Sequence, residues 1–295
     1  MPAESSWQIS EAQTLDFDDP VENLQVRVVN GTVNVVGTAG PGARVEVGEV
    51  QGPPLVVTRE GPSLVIAYED VPWKGFLKWL DRKGWNRRAV VSVSVPAQVR
   101  LSVGVVGASA FVSGITGRTD IRGVSGDTTL VGLTGPVRAD TVSGDIEAQG
   151  LTGKLDFNSV SGDLTLIDGH GSAVRADSVS GDMILDLDPA GTGRGEDVEG
   201  TGTGMDVGLA TVSGSVAVRL PSPVHAVVEA GSASGGVSSA FEELKVEGMW
   251  GAQKATGTLG SGAGRLKADS VSGSIALLRR HTPHDDDTPH FSKDV

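Results

Sequence analysis

Apolar and polar residues alternate along most of this chain in short runs. Val137-Arg-Ala-Asp-Thr-Val142 and Asp163-Leu-Thr-Leu166 each place every second side chain on one face, the period of a β-strand. The runs close on Gly with Ser, Asn or Asp, the residues of tight turns. The closing phrases recur in step. Val-Ser-Gly-Asp stands at 124–127, 142–145, 160–163 and 179–182, and Val-Ser-Gly-Ser at 212–215 and 271–274. The first steps are 18 residues and the next is 19. A second phrase lies midway between them, as Ile115-Thr-Gly117, Leu133-Thr-Gly135 and Leu151-Thr-Gly153, and Val29–Gly37 matches the same nine-residue pattern. A fixed short period marks a repeat architecture.

Two topologies can use this pattern. In an antiparallel meander each nine-residue phrase is a strand and a hairpin turn. In a β-solenoid each unit of about 18 residues is one coil with two strands and two bends. The 18-residue recurrence favours the solenoid, because a coil stacks like on like. Val124, Val142, Val160 and Val179 are then expected to form one internal ladder. The fold class predicted is all-β, a β-solenoid or β-helix of about 18-residue coils, interrupted by one short amphipathic helical insertion.

Residues 1–23 are expected to form a polar lead-in or cap, with Trp7, Ile9, Leu15 and Phe17 as its contacts. Residues 24–280 form the repeat domain, interrupted by the insertion 71–88 and a flexible Gly-rich loop 189–204. Residues 281–295 are expected to be a disordered tail. Phe241, Met249 and Trp250 are candidates to close the far end, since an open terminal coil is a sheet edge that invites pairing.

Composition narrows the function classes. Only 4% of the 295 residues are aromatic and 42 are Gly, which suits a narrow core of small and branched side chains. Cys is absent, which excludes disulfides, a thiol nucleophile and Cys metal sites. The net charge of −13 argues against nucleic-acid binding, which needs a basic surface. No apolar stretch reaches the roughly 18 residues of a membrane span. The N-terminus lacks a basic region followed by an apolar core. A cytoplasmic protein is the simplest expectation, with a position peripheral to the membrane as the alternative.

The insertion 71–88, Val-Pro-Trp-Lys-Gly-Phe-Leu-Lys-Trp-Leu-Asp-Arg-Lys-Gly-Trp-Asn-Arg-Arg, is the strongest functional candidate. Asp70 could cap a helix, Pro72 suits its first turn and Gly84 could end it. On a helical wheel Trp73, Phe76, Leu77, Trp79 and Leu80 share one side, while Lys74, Lys78, Asp81 and Arg82 share the other. Trp85, Arg87 and Arg88 complete the candidate docking set. Six basic residues and one acidic give the segment +5, so the rest of the chain carries −18. A basic, Trp-rich amphipathic helix can lie at a membrane interface or dock in a partner's groove. It can equally pack on the solenoid flank with its basic residues solvated.

Other features point to structure more than to chemistry. Asp127, Asp145, Asp163 and Asp182 would stack about 4.8 Å apart. Unless a cation bridges them, each is expected to bind backbone N–H groups in its own turn. Ser215 and Ser274 take the same column, which favours the turn role. Arg138/Asp140, Arg175/Asp177 and Lys267/Asp269 form outward ion pairs that fix register. His170 and His225 stand alone and are expected to be structural, and His281, His284 and His290 fall in the tail beside Asp285, Asp286 and Asp287. Gly191-Thr-Gly-Arg-Gly195 lacks the strand and helix that a dinucleotide loop requires. No cofactor, small-molecule substrate or metal is expected.

The Val-x-x-x-[Ser/Thr]-Val-Ser-Gly-[Asp/Ser] phrase, the offset Leu-Thr-Gly phrase and the N-terminal Val29-Asn-Gly-Thr-Val33 resemble the bacterial DUF4097 family. Its members are adhesin-like β-repeat proteins related to adhesin-head GIN domains. The resemblance covers roughly residues 24–280. It implies a β-helix-like domain of a kind found in proteins linked to envelope stress or membrane-associated systems, and it carries no catalytic residues over to this chain. The expectation is a non-enzymatic structural or interaction scaffold with a protein partner or self-association. A peripheral membrane protein anchored by the insertion is the alternative. A polysaccharide-acting β-helix enzyme is a further one, but it would need paired carboxylates in a groove.

Overall fold

A computed structural model describes residues 4–68, 87–170, 173–188 and 205–280, and every element in them is a β-strand. The first eight strands are β1 (Glu4–Ile9), β2 (Gln13–Phe17), β3 (Asn23–Val28), β4 (Asn30–Thr38), β5 (Ala43–Gln51), β6 (Leu55–Glu60), β7 (Ser63–Ala67) and β8 (Arg88–Pro96). The regular coils follow as β9 (Arg100–Val105), β10 (Ser109–Ser113), β11 (Thr119–Gly123), β12 (Thr128–Val131), β13 (Val137–Asp140), β14 (Ile146–Gln149), β15 (Leu155–Asn158), β16 (Leu164–Gly169), β17 (Ala173–Ser178) and β18 (Met183–Leu187). The remainder are β19 (Asp206–Thr211), β20 (Val216–Leu220), β21 (Ala226–Ser232), β22 (Val237–Ser239), β23 (Lys245–Met249), β24 (Ala252–Leu259), β25 (Gly264–Ser270) and β26 (Ile275–Arg279).

These strands build two long mixed sheets. The first has fourteen strands in the order β1-β6-β7-β3-β9-β11-β13-β15-β17-β19-β25-β21-β24-β23. The second has twelve, β2-β5-β8-β4-β10-β12-β14-β16-β18-β20-β26-β22. Each repeat gives one strand to each sheet and lies parallel on the next, like on like. Leu101, Thr119, Val137 and Leu155 pair in line on the first sheet, and Ala110, Thr128, Ile146 and Leu164 on the second. Parallel stacking makes the chain a β-solenoid-like fold and rules out the antiparallel meander for the repeat.

Alternation supplies the core, because every second residue of each strand turns between the sheets. Along the first sheet the inward column reads Ile121, Ala139, Phe157, Ala176, Leu209, Ala268. Large side chains lie between alanines, which is how Phe157 can be only 1% exposed.

The column of valines is corrected by the structure. Of the four valines expected inside, Val160 and Val179 are about half exposed, as are Val212 and Val271 further on, Val142 is intermediate, and Val124 alone packs partly buried against the core, so they form no internal ladder. The corner interior belongs to their neighbours. From Val142 onward the hydroxyl just before the Val accepts the N–H of the Gly three residues on: Thr141 from Gly144 at 3.1 Å, Ser159 from Gly162 at 2.7 Å, Ser178 from Gly181 at 2.9 Å and Thr211 from Gly214 at 3.0 Å. Each Gly in turn presses on the coil before it. A Cβ on Gly162 would stand 2.1 Å from the Gly144 carbonyl oxygen. With hydroxyl and glycine inside, the Val between them faces out.

The ends close differently. At the N-terminal end β1 and β2 pair antiparallel with β6 and β5. Ile9 and Phe17 are buried there, with the Trp7 ring edge-on to Phe17 at 5.4 Å. At the other end Phe241 and Leu244 are buried, with the Arg279 guanidinium 5.0 Å over the Phe241 ring. Met249 and Trp250 do not cap this end. They are 73% and 98% exposed at the tip of the β23–β24 hairpin. That hairpin carries the first sheet two strands past β21, while the second sheet ends at β22. Sequence order and spatial order also part here, since β25 and β26 lie between the coil of β19 and β20 and the coil of β21 and β22.

Candidate docking surface

One edge of the stack is where the chain passes from the first sheet to the second through the Val-Ser-Gly-Asp turns. Each Ser hydroxyl donates to the carbonyl of the Val in the preceding coil: Ser143 to Val124 at 3.0 Å, Ser161 to Val142 at 3.2 Å and Ser180 to Val160 at 3.2 Å. The Asp column does the same work one step outward. Asp127 Oδ1 accepts the N–H of Asp145 at 3.2 Å, Asp145 that of Asp163 at 2.9 Å, Asp163 that of Asp182 at 2.7 Å, and Asp182 that of Ser215 at 2.7 Å. These carboxylates therefore bind the next coil's turn and not their own. An acceptor facing an N–H is stabilising where two bare carboxylates would repel, and Ser215 ends the ladder because its side chain continues no such contact.

The insertion leaves from this same edge. β7 belongs to the first sheet and β8 to the second, so the chain leaves β7 and re-enters at β8 on the edge of the Val-Ser-Gly-Asp turns. The insertion's two ends meet. The Arg87 guanidinium lies 5.4 Å over the ring of Tyr68, which is 2% exposed. Burial pushes the Tyr68 hydroxyl's pKa up, against a smaller pull downward from Arg87. The Arg87 carbonyl accepts from both the backbone N–H and Nδ2 of Asn30 at 3.2 Å. Arg88 opens β8 between Asn30 and Gln51 and is exposed. Of the predicted docking residues, Trp73, Lys74, Phe76, Leu77, Lys78, Trp79, Leu80, Arg82 and Trp85 lie outside the described residues, as does the helix expected over them.

The outer face of the first sheet carries a ladder of ion pairs two residues apart. Arg138–Asp140 at 2.9 Å, Arg175–Asp177 at 3.1 Å and Lys267–Asp269 at 3.0 Å are those singled out from the sequence. Arg118–Asp120 at 2.9 Å and Lys154–Asp156 at 3.0 Å extend it, and the same spacing could have revealed them. The register sets opposite signs side by side, Asp120 beside Arg138, then Asp156, then Arg175. Burial works to raise the pKa of Asp140, but hydrogen bonds from Arg138 and Asn158 and the charges of Arg138 and Arg122 outweigh it and hold the carboxyl below its ordinary value. The ladder breaks at β19, where Gly208 and Ala210 leave a shallow cleft of about 410 Å³ between Arg175 and Lys267. Three carboxylates line it, Asp177, Asp206 and Asp269, of which Asp177 and Asp269 are held in ion pairs.

A second ionic cluster was not anticipated. Arg280 reaches from the end of β26 to Asp168 at 2.7 Å, Asp188 at 3.6 Å and Asp186 at 3.7 Å, and Arg219 also binds Asp186. Asp168 is aimed there by the one extra residue in its coil, which makes a bulge between Leu166 and Gly169 and puts Asp168 at φ 49°. That extra residue was the readable signal. His170 Nδ1 stands 3.8 Å from Asp188, and His225 Nδ1 accepts the N–H of Ser261 at 2.9 Å. Among the described residues no group of three or more His, Asp or Glu could hold a metal ion, and no helix is long and apolar enough to cross a membrane.

The glycine and hydroxyl corner, repeated with the Asp column, is most regular from β11 to β18, and the same stretch carries a family signature. Residues 113–206 match the Toastrack DUF4097 family. The Toastrack segment thus runs from the last residue of β10 to the first of β19, and the likeness read from the repeat phrase holds there. No curated protein matches the chain. A crystal structure from Clostridium sporogenes, described as that of a "putative cell adhesion protein", is 10% identical and covers 92% of this chain and 100% of its own. Its TM-score of 0.25 is too low to carry an argument.

Proposed function

We propose that this protein is a non-enzymatic, adhesin-like scaffold. A rigid stack of coils of about 18 residues presents one long edge, and the Trp-rich basic insertion 71–88 serves as its docking element. The observation that carries this reading is the neck of the insertion. Tyr68 and Arg87 hold the two ends together on the Ser and Asp edge, so a segment of charge +5 is presented from a body of −18. Such a contrast suits an acidic groove on a protein partner. The outward carboxylates described above are engaged by backbone N–H groups or basic side chains, which supports a presenting role over catalysis.

A membrane surface is the second reading, favoured by the three Trp among six basic residues of the insertion. It would place the protein peripherally at a membrane, whereas the docking reading keeps it cytoplasmic. Co-sedimentation with vesicles of anionic lipid separates the two. Binding by the wild type that is lost in Trp73→Ala/Trp79→Ala supports the membrane reading, and no binding by either removes it. Light scattering of the full chain beside one with 71–88 replaced by a Gly-Ser linker tests whether the insertion joins copies. Loss of assembly in the replaced chain makes it an assembly element, and unchanged mass assigns it to another partner.

A further inference from the structure

Strand β23 is one of the two edge strands of the fourteen-stranded sheet, opposite β1, and all five of its residues are exposed. Its partner β24 is anchored in the fold, with Ala255 and Leu259 buried, but β23 is paired on one side alone, and an unblocked edge is a template for another strand. We propose that β23 pairs antiparallel with β23 of a second copy about a two-fold axis at Val246.

The backbone fixes which residues can pair. Trp250 at φ 55° and Gly251 at φ 90° form a two-residue turn that joins Met249 to Ala252. This is the type I′ geometry of tight hairpins. In an antiparallel ladder successive residues turn their N–H and C=O to alternate sides. Met249, Glu247 and Lys245 therefore bond to β24, and Val246 and Gly248 turn theirs to the open edge. Val246 against Val246 of the second copy is then a doubly hydrogen-bonded pair.

Charge selects this register over its neighbour. With Val246 at the axis, Lys245 faces Glu247 of the second copy, and Glu247 faces Lys245. Moving the axis one residue on would set Glu247 against Glu247. Like charges directly opposite destabilise a ladder, and opposite charges support it. In the single chain Lys245 and Glu247 pair with each other along the strand, 76% and 64% exposed. The neighbouring strand could take both contacts over. The other face brings together the two Val246 side chains, each 44% exposed. The same register lays Trp250 beside the Glu242–Leu244 turn of the second copy, and so covers a side chain that is 98% exposed. A two-fold contact of this kind closes at two copies and does not propagate.

The test is light scattering of the full chain over a concentration series, with Lys245→Glu and Glu247→Lys. Wild type should be a dimer, and each single reversal a folded monomer with an unchanged far-UV circular-dichroism spectrum. An equimolar mixture of the two variants should form a heterodimer, because each then faces its opposite. The double swap Lys245→Glu/Glu247→Lys should restore the homodimer. A monomeric wild type, a dimer indifferent to both reversals, or variants that do not combine on mixing would each overturn the proposal. Assembly through the insertion 71–88 would persist in Glu247→Lys, so the two surfaces are distinguished.

Discussion

Ser159 accepts a hydrogen bond from Gly162 inside the corner, and that one hydroxyl explains why the valine beside it is outside. Ser159→Ala leaves a buried N–H without a partner, so a loss of about 1–3 kcal/mol is expected in urea unfolding. Ser159→Thr should be tolerated, since Thr141 and Thr211 fill the same column. Gly162→Ala should cost more than Ser159→Ala, because the added methyl meets backbone that flanking coils hold in place. Hydrophobic ranking puts Val inside, and it failed here because it weighs transfer from water and not the space left by two backbones in contact. The [Ser/Thr]-Val-Ser-Gly spelling was in view, and its hydroxyl was the informative letter. Asp140 yields a pH prediction. Its folded pKa lies below the ordinary value, so its contribution to stability is complete above about pH 4 and is lost as pH falls through the folded pKa. Asp140→Asn should lower stability most in the neutral range, where the carboxylate's contribution is complete, and converge with wild type toward pH 2, so that the acid limb of a stability series taken from about pH 7 to pH 2 is flatter.

At the scale of elements, the strand period and the stacking of like on like were legible because both are written into spacing. The size alternation was less so. Phe157 fits because the register sets Ala139 and Ala176 on either side, and register is a consequence of stacking that a single coil does not reveal. Phe157→Ala should cost about 3–5 kcal/mol. Adding Ala139→Leu should recover part of that loss, and a double-mutant cycle would measure the coupling. Two things stayed hidden. The position of β25 and β26 could not be read, because Val271-Ser-Gly-Ser274 is spelled as Val212-Ser-Gly-Ser215 is, wherever the coil lies. Of Phe241, Met249 and Trp250, all expected to close the far end, Phe241 is buried there, but the turn at Trp250 points Met249 and Trp250 away from the core.

Across the molecule, stability in a stack is a sum of neighbouring contacts, so damage should stay local. Arg280 spans from β26 to the coils of β16 and β18. Arg280→Met would leave Asp186, 8% exposed at its side chain, with Arg219 alone. Hydrogen exchange should then quicken in β25, β26 and β21–β24 together, and stay slow from β11 to β16. The candidate site was legible only in part, since the insertion's composition was visible but the Tyr68–Arg87 neck that presents it depends on contacts between strands of different sheets. The displaced coil has one more consequence, for the chain as it is made. β21 to β24 leave the ribosome before β25 and β26, yet among the described strands β21 pairs with β25 and β24 alone. The nascent protein can add coils in order as far as β20 and must then wait, with a half-built end exposed, until the piece that belongs in the gap has been synthesised. Cotranslational folding of this stack is therefore not vectorial to its end. β25 and β26 must reach β19 and β20 before β21 and β22 can join the stack through them.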